Sequence, residues 1–471
     1  MAQPADEIPR RNRIIYASAS LGGNMLSRTV TLWLVFFFAP PADADMPTII
    51  PRFTLGAILL AIGIQDAIDD PLIGYWSDRT STRWGRRIPF IVLSTPFYVL
   101  FFFLLFTPPG ADRSVWANVL YLTVIVLVQR ITGTLSSGPL EALLPEIAKS
   151  SAARVSIVMW QVFLGSLGAV FALVVTGFIK DAWGFQVMAG IVAVLALISR
   201  YVGLWGAWPY AKENVEPVRF GVIESLRHAF RNDQFLYFLP TFVLFNTAVN
   251  LLLAALPFFA ESIILGEEES REFSLLGFDF SVQEGGIAGL LSAAAIFTVI
   301  LALPFVYRLA TRRGKASVYS IAMLFGSLTF PLLFFMGLVP GVDSLVQSLV
   351  FVAIAGVAIV GVFAFPNAIM ADIIDYDALR TGMRREALYY GAQNTVEKSV
   401  GSIATGVLAL LLLFGETADD PLGIRLAGPV AGAAAIFGYF GFRGYRLPDT
   451  VTPETVRIDE HGRLDVLEQR D

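Results

Sequence analysis

The chain contains no cysteine, only two histidines and little charge. Without cysteine there is no disulfide framework and no thiol nucleophile. His228 and His461 both fall in polar segments, which argues against a histidine-centred triad or a His-rich metal site. Charged residues make up 15% of the chain, against about 25% in an ordinary soluble domain. So little charge does not cover a soluble surface of this size. The basic residues occur in short clusters between apolar runs, so nucleic-acid binding has no support.

Apolar residues are what the sequence has in quantity. They make up 55% of the 471 residues, with 38 phenylalanines and a mean hydropathy of +0.65. Repeated runs long enough to span a bilayer predict an all-α polytopic membrane protein. Twelve spans are expected, near 14–38, 53–76, 88–107, 115–138, 155–179, 184–209, 234–264, 285–309, 316–338, 344–370, 386–414 and 424–443. They divide into a six-helix half (1–209), a linker (210–233), a second six-helix half (234–443) and a tail (444–471). In the linker, Val222, Ile223, Leu226 and Phe230 fall at helical spacing, which predicts a short amphipathic helix on the membrane surface.

The basic residues give the orientation. With both termini cytoplasmic, the outer side holds Arg52, Arg113, Lys180, Arg271 and Arg425. Arg28, Arg130, Arg200 and Lys398 lie within spans, and the remaining 25 of the 34 Lys and Arg face inward. This is the positive-inside pattern, and it closes at an even number of spans. Two inner loops, "SDRTSTRWGRR" and "RLATRRGKAS", occupy matching places in the two halves. Duplicated halves are a common build for alternating-access transporters.

One span contradicts its own apolar character. "AIGIQDAIDDPLIGYW" carries Asp66, Asp69 and Asp70 at membrane depth. A charge there costs about 2.5–3.5 kcal/mol on insertion scales. Three clustered acids do not all stay ionised without a cation or a proton. Asp66 and Asp70 are one turn apart and share a helix face. Pro71 removes a backbone donor and frees a carbonyl one turn earlier. Na+ or H+ is therefore expected at Asp66 and Asp70, with Asp69 beside them. Thr134 and Ser137 sit at i and i+3 on the fourth span and are candidates to complete an oxygen shell. The structural alternative is a buried acid paired with Arg28, Arg130 or Lys398.

Other polar groups fall within the spans: Asn24, Arg28, Arg130, Gln161, Asn246, Asn250, Gln393, Glu397 and Lys398. Singly, each is the kind of residue that makes a packing hydrogen bond. Together with Trp160, Tyr389 and Tyr390 they predict a polar cavity between the halves that binds a small or amphiphilic solute. At the inner edge, Asp78, Arg79, Arg86 and Arg87 in one half, and Asp372, Asp375, Arg384 and Arg385 in the other, are candidates for a cytoplasmic gate. Solvated topogenic charge is the plainer alternative.

At these residues the sequence resembles a family. "DAIDDPLIGYWSDRTSTRWGRRIPFI" and "MADIIDYDALRTGMRREALYYGAQNTVEKSVGS" resemble two motifs of the glycoside–pentoside–hexuronide:cation symporters of the major facilitator superfamily, the melibiose permease family. The resemblance implies a cation site at Asp66, Asp70 and Thr134, with Lys398 near both cation and solute. It also implies losses. Asn24, Ser137 and Gln161 stand where the family's sugar site has charged residues, and Asp69 stands where melibiose permease has asparagine. The implied function is Na+- or H+-coupled import of a sugar or glycoside-like solute by alternating access, without a cofactor, by a monomer in the inner (plasma) membrane. The alternative is sodium-dependent transport of a lysolipid, a related branch with a similar acidic second helix. An enzyme is not expected, since no nucleophile, base or metal constellation stands out.

Overall fold

In hydrocarbon every backbone N–H and C=O needs an internal partner, so the apolar runs fold as helices. The computed structural model describes residues 8–42, 44, 46–79, 82, 84, 87–110, 113–148, 151–210, 230–266, 268–275, 278–382, 386–448, 451, 455–458 and 464–466. Among them, nine helical stretches are long and apolar enough to cross a membrane, and Arg52–Gln65 and Ser399–Phe414 are shorter apolar helices. One long stretch, Ser156–Tyr210, holds two spans, because the chain turns at Gly184 (φ 81°). A positive φ is open to glycine and strained for other residues. The outcome is a twelve-helix, all-α polytopic protein.

The spans are α1 (Arg10–Phe38), α2 (Arg52–Arg79), α3 (Ile88–Leu105) and α4 (Val115–Ala142). α5 (151–183) and α6 (185–207) meet at Gly184. α7 (Asp233–Leu265), α8 (Glu284–Arg313), α9 (Lys315–Phe335) and α10 (Ser344–Thr381) follow. α11 (Glu386–Leu411) and α12 (Leu422–Phe442) complete the bundle. The even count puts the start of α1 and the end of α12 on one face, here called the terminal face; the opposite one is the far face.

Several helices depart from the expected plain spans. α5 and α7 carry π-helical turns at Phe171–Val175 and Ala260–Leu265. α10 runs eleven residues beyond the expected end at 370 and is interrupted at Phe365, because Pro366 has no N–H to give. The large far-face loop holds a hairpin of β1 (Arg271–Leu275) and β2 (Phe278–Val282), and the tail holds β3 (Val456–Ile458) paired with β4 (Leu464–Val466). The expected linker helix falls mostly on 211–229, outside the described residues.

Lipid offers no hydrophobic drive between helices, so close approach rests on small residues. A Cβ at Gly168 would overlap the Leu21 backbone, and one at Gly177 would overlap the Gly285 carbonyl. α5 thereby lies against both α1 and α8. α2 lies along α11: a Cβ on Gly56 would meet the Gly406 carbonyl at 3.1 Å, and one on Gly63 would meet Ile403 at 3.1 Å.

Candidate functional site

The site is built where helices of the two halves cross at mid-depth. Arg28 on α1 donates from Nη1 to Asn250 Oδ1 on α7 at 2.9 Å. Asn250 is buried and donates to the Asn246 carbonyl at 2.9 Å, and Asn246 donates to the Phe242 carbonyl at 3.1 Å. Glu397 on α11 acts electrostatically on Arg28. Gln393, one turn from Glu397, is buried and donates to Asn367 on α10 at 3.4 Å. Its Oε1 has no hydrogen-bond partner among the described residues, and an unmet buried acceptor costs about 1–3 kcal/mol. Such a group invites a solute hydroxyl or a water.

On the other side of α1, Asn24 donates to the Ser20 carbonyl at 3.0 Å and lies against Gly165 of α5. α1 and α5 run parallel, with Gly165 also against Ser20 and Gly168 against Leu21, so Gln161, one turn before Gly165, lies on the terminal-face side of Asn24 and not level with Arg28. Trp160 is 37% exposed and edge-on to Phe163 at 5.8 Å.

The α2–α11 packing sets the level of the acidic run. A Cβ on Gly63 would lie 3.5 Å from the Ser399 carbonyl. The two helices are antiparallel, so the backbone from Asp66 to Asp70 runs level with Gln393 to Lys398. The side chains of Asp66, Asp69, Asp70, Asp78, Arg79, Tyr390 and Lys398 lie outside the described residues, as do Arg86, Arg384 and Arg385 altogether.

α4 gives a result that spacing does not show. Thr134 is buried. Ser137, three residues on, accepts a hydrogen bond from Arg200 Nη2 at 3.0 Å, and Ser136 accepts from the same nitrogen at 2.7 Å. Ser136 also bonds Thr95 at 2.7 Å, and the guanidinium lies 5.4 Å from the Tyr98 ring centroid. Arg200, only 2% exposed, thus ties α6 to α3 and α4. A resident cation holds the Ser137 hydroxyl that spacing assigns to a mobile one. The sequence signal was present, an arginine within the sixth span, but its partner depends on helix rotation.

The gate candidates also find partners. Asp372 is buried and accepts from Lys315 at 2.6 Å, a residue of the second repeated loop. Arg87 is buried at the start of α3, and Asp375 is half-buried on α10. The same inner-edge cluster of the sequence includes Asp377, fully buried on α10, and Arg380, which donates to the Arg231 carbonyl at 3.0 Å. Asn232 donates to the Tyr389 hydroxyl at 3.0 Å beside them.

The far face is closed by contacts between the halves. Lys180 on α5 pairs with Asp181 at 2.9 Å and with Glu284 on α8. Asp181 accepts from the Gly285 and Gly286 amides, at 3.2 and 2.5 Å, and so caps α8 across the boundary. Arg52 pairs with Glu416, and the Phe36 ring meets Phe258 at 5.2 Å.

A helical bundle whose halves cross through buried polar groups is a transporter architecture, and a sequence profile agrees. The profile described as MFS/sugar transport protein matches residues 15–423. The chain belongs to the MFS/sugar transport protein family. Among curated relatives, the uncharacterized symporter YnaJ of Bacillus subtilis is 25% identical over 437 residues, covering 89% of this chain and 86% of the relative. The isoprimeverose transporter of Lactiplantibacillus pentosus is 26% identical over 224 residues, covering 45% of this chain and 44% of the relative. Some matches therefore span only about half of the relative. The sodium-dependent lysophosphatidylcholine symporter 1 of Xenopus tropicalis is 33% identical over 132 residues, covering 27% of this chain and 24% of the relative. In fold, the chain is similar to a POT family transporter solved with 5-aminolevulinic acid (TM-score 0.61, 12% identity, covering 92% of this chain and 94% of that one). It is also similar to the nucleoside transporter NupG (TM-score 0.57, 13% identity, 93% and 98%). The family and these relatives are transporters rather than enzymes.

Proposed function

We propose that this family member is a secondary symporter that couples Na+ or H+ to the import of a sugar or glycoside-like solute. The observation that carries the reading is the register of α2 against α11. It sets the Asp66–Asp70 backbone level with Gln393–Lys398, next to the Arg28–Asn250 crossing. Asp66 and Asp70 bind the coupling ion, assisted by Thr134 and by Asp69. Ser137 is engaged by Arg200 and contributes less than spacing suggests. Binding the ion removes net negative charge from the cavity, and a ligand shifts a two-state carrier by its differential affinity for the two states.

Asn246, Gln393, Gln161 and Asn24 supply neutral hydrogen-bonding groups suited to hydroxyl-rich solutes, with Arg28, Arg130 and Lys398 as the cationic part of the site. The closed far face is that of a state other than the one open on that side. In the orientation with both termini cytoplasmic, in the inner membrane, that state is not outward-open. The two halves, residues 1–209 and 234–443, are the bodies that rock, and a monomer suffices.

Uptake into proteoliposomes under imposed Na+ or pH gradients tests the proposal. A gradient of one ion accelerates uptake, and Asp66→Asn or Asp70→Asn removes that acceleration. Gradient-independent uptake, or full coupling in both variants, sinks the proposed ion site. A lysolipid is the second reading, favoured by the similarity to the lysophosphatidylcholine symporter; competition between glycosides and lysophosphatidylcholine in the same assay separates the two.

A further inference from the structure

On the terminal face the structure contains a cavity that the transport reading does not use. It measures about 460 Å³ and is lined by Arg313, Ser317, Ser320, Ile321, Leu324, Tyr439 and Arg443. Arg313 is the last residue of α8, and Arg443 follows the last residue of α12. Between them lies the start of α9, which begins after the tight turn at Gly314 (φ 84°) and has no side-chain cap. Its first-turn N–H groups therefore await an acceptor. Ser317, Ser320, Ile321 and Leu324 lie three or four residues apart, so α9 presents one face to the cavity.

The chemistry of this lining is that of a phosphate site. Two guanidiniums converge with two hydroxyls at the positive end of a helix. Arg443 is held over the Tyr439 and Phe440 rings, each centroid 5.7 Å from its guanidinium carbon. Topogenic arginines do not need a cavity. The surface beyond it also points to a lipid rather than a free anion. Leu324 and Leu328 continue the same α9 face toward the membrane centre and are 38% and 66% exposed, and Phe440 on α12 is 55% exposed. A headgroup in the cavity would lay its acyl chains along that apolar strip. Basic pockets between helices at a membrane edge bind anionic headgroups in this way.

We infer that the cavity between α8, α9 and α12 binds the phosphate of an anionic phospholipid from the leaflet on the terminal face. The inference is independent of the transported solute. Thermal unfolding of the full-length protein in detergent, followed with added phosphatidylglycerol, phosphatidylcholine or inorganic phosphate, tests it. Phosphatidylglycerol is expected to raise the midpoint by several degrees, and phosphatidylcholine and inorganic phosphate much less. Arg313→Gln with Arg443→Gln weakens the phosphatidylglycerol effect about 30-fold in concentration, whereas Arg313→Lys with Arg443→Lys retains it. If the double glutamine variant fails to fold, Ser320→Trp, which fills the cavity and keeps both arginines, gives the same loss. An equal shift with phosphatidylcholine, or an unchanged response in the Gln and Trp variants, overturns the site. An equal shift with inorganic phosphate overturns the lipid as its source.

Discussion

The two faces of the bundle use charge in opposite ways. On the far face bases are few, and four of the five expected there are engaged. Arg52 pairs with Glu416, Lys180 with Asp181 and Glu284, and Arg271 with Asp343 at 2.6 Å. Arg425 donates to the Phe334 and Met336 carbonyls at 2.6 and 2.7 Å. Two of these fasteners join one half to the other. On the terminal face bases are many; among the described residues Lys315 bonds Asp372 within the second half, and Arg380 bonds the Arg231 carbonyl of the linker. Where topology permits few cations, most are fixed in structure. Where it demands many, two of them, Arg313 and Arg443, line the cavity assigned above to a lipid phosphate.

The comparison breaks most visibly if the far face is locked. The chain has no cysteine, so Arg52→Cys with Glu416→Cys introduces a single pair. Oxidation is expected to abolish uptake and reduction to restore it; undiminished transport by the oxidised carrier would show that this face does not open. The next effect is at Lys180. It is buried beside two acids and near the rings of Trp33, Phe36 and Phe185. Removing one member of a buried ion pair costs about 3–5 kcal/mol. Lys180→Met should lower the unfolding midpoint and raise far-face labelling of a single introduced cysteine, and unchanged labelling would remove Lys180 from the closure.

The smallest effect is at Asp343. Its hydrogen bond to Arg271, with its bonds to the α10 amides of Leu345 and Val346, holds its carboxyl below the usual carboxylate range. A depressed value means the contribution is fully present above the unfolded value of about 3.9, and is lost as pH falls through the lower folded value. Asp343→Ala should cost about 1 kcal/mol at neutral pH, mostly as a lost cap, because an exposed pair adds little. The difference in midpoint between variant and wild type should vanish in acid.

Much of this fold was legible in the sequence, because membrane spans leave a one-dimensional signature. Apolar length fixed the helices, and the asymmetry of Lys and Arg fixed their number. Gly184 was needed to part α5 from α6, and Pro366 to break α10, and both are visible as residue types. Partner choice was less legible. Ser137 at i+3 from Thr134 suggested an ion shell, but its hydroxyl meets Arg200, which is 63 residues away in sequence. Asp372 is a gate candidate in the sequence, and among the described residues Lys315 reaches it from the preceding helix. Both depend on how helices rotate against neighbours, which spacing along one helix does not encode. The acidic run in α2 was legible as chemistry, since three acids at membrane depth have few purely structural explanations.

The π-helical turns bear on that rotation. An α-helix advances about 100° per residue, and a π turn takes in one residue more. The five residues Phe171–Val175 therefore put everything beyond them in α5 out of phase with the segment before. Gly165 and Gly168 present α5 to α1 before the turn; Gly177, Lys180 and Asp181 present it to α8 after it. A single surplus residue thus lets one helix serve two partners on different sides, with the change of phase set between the solute level and the far-face closure.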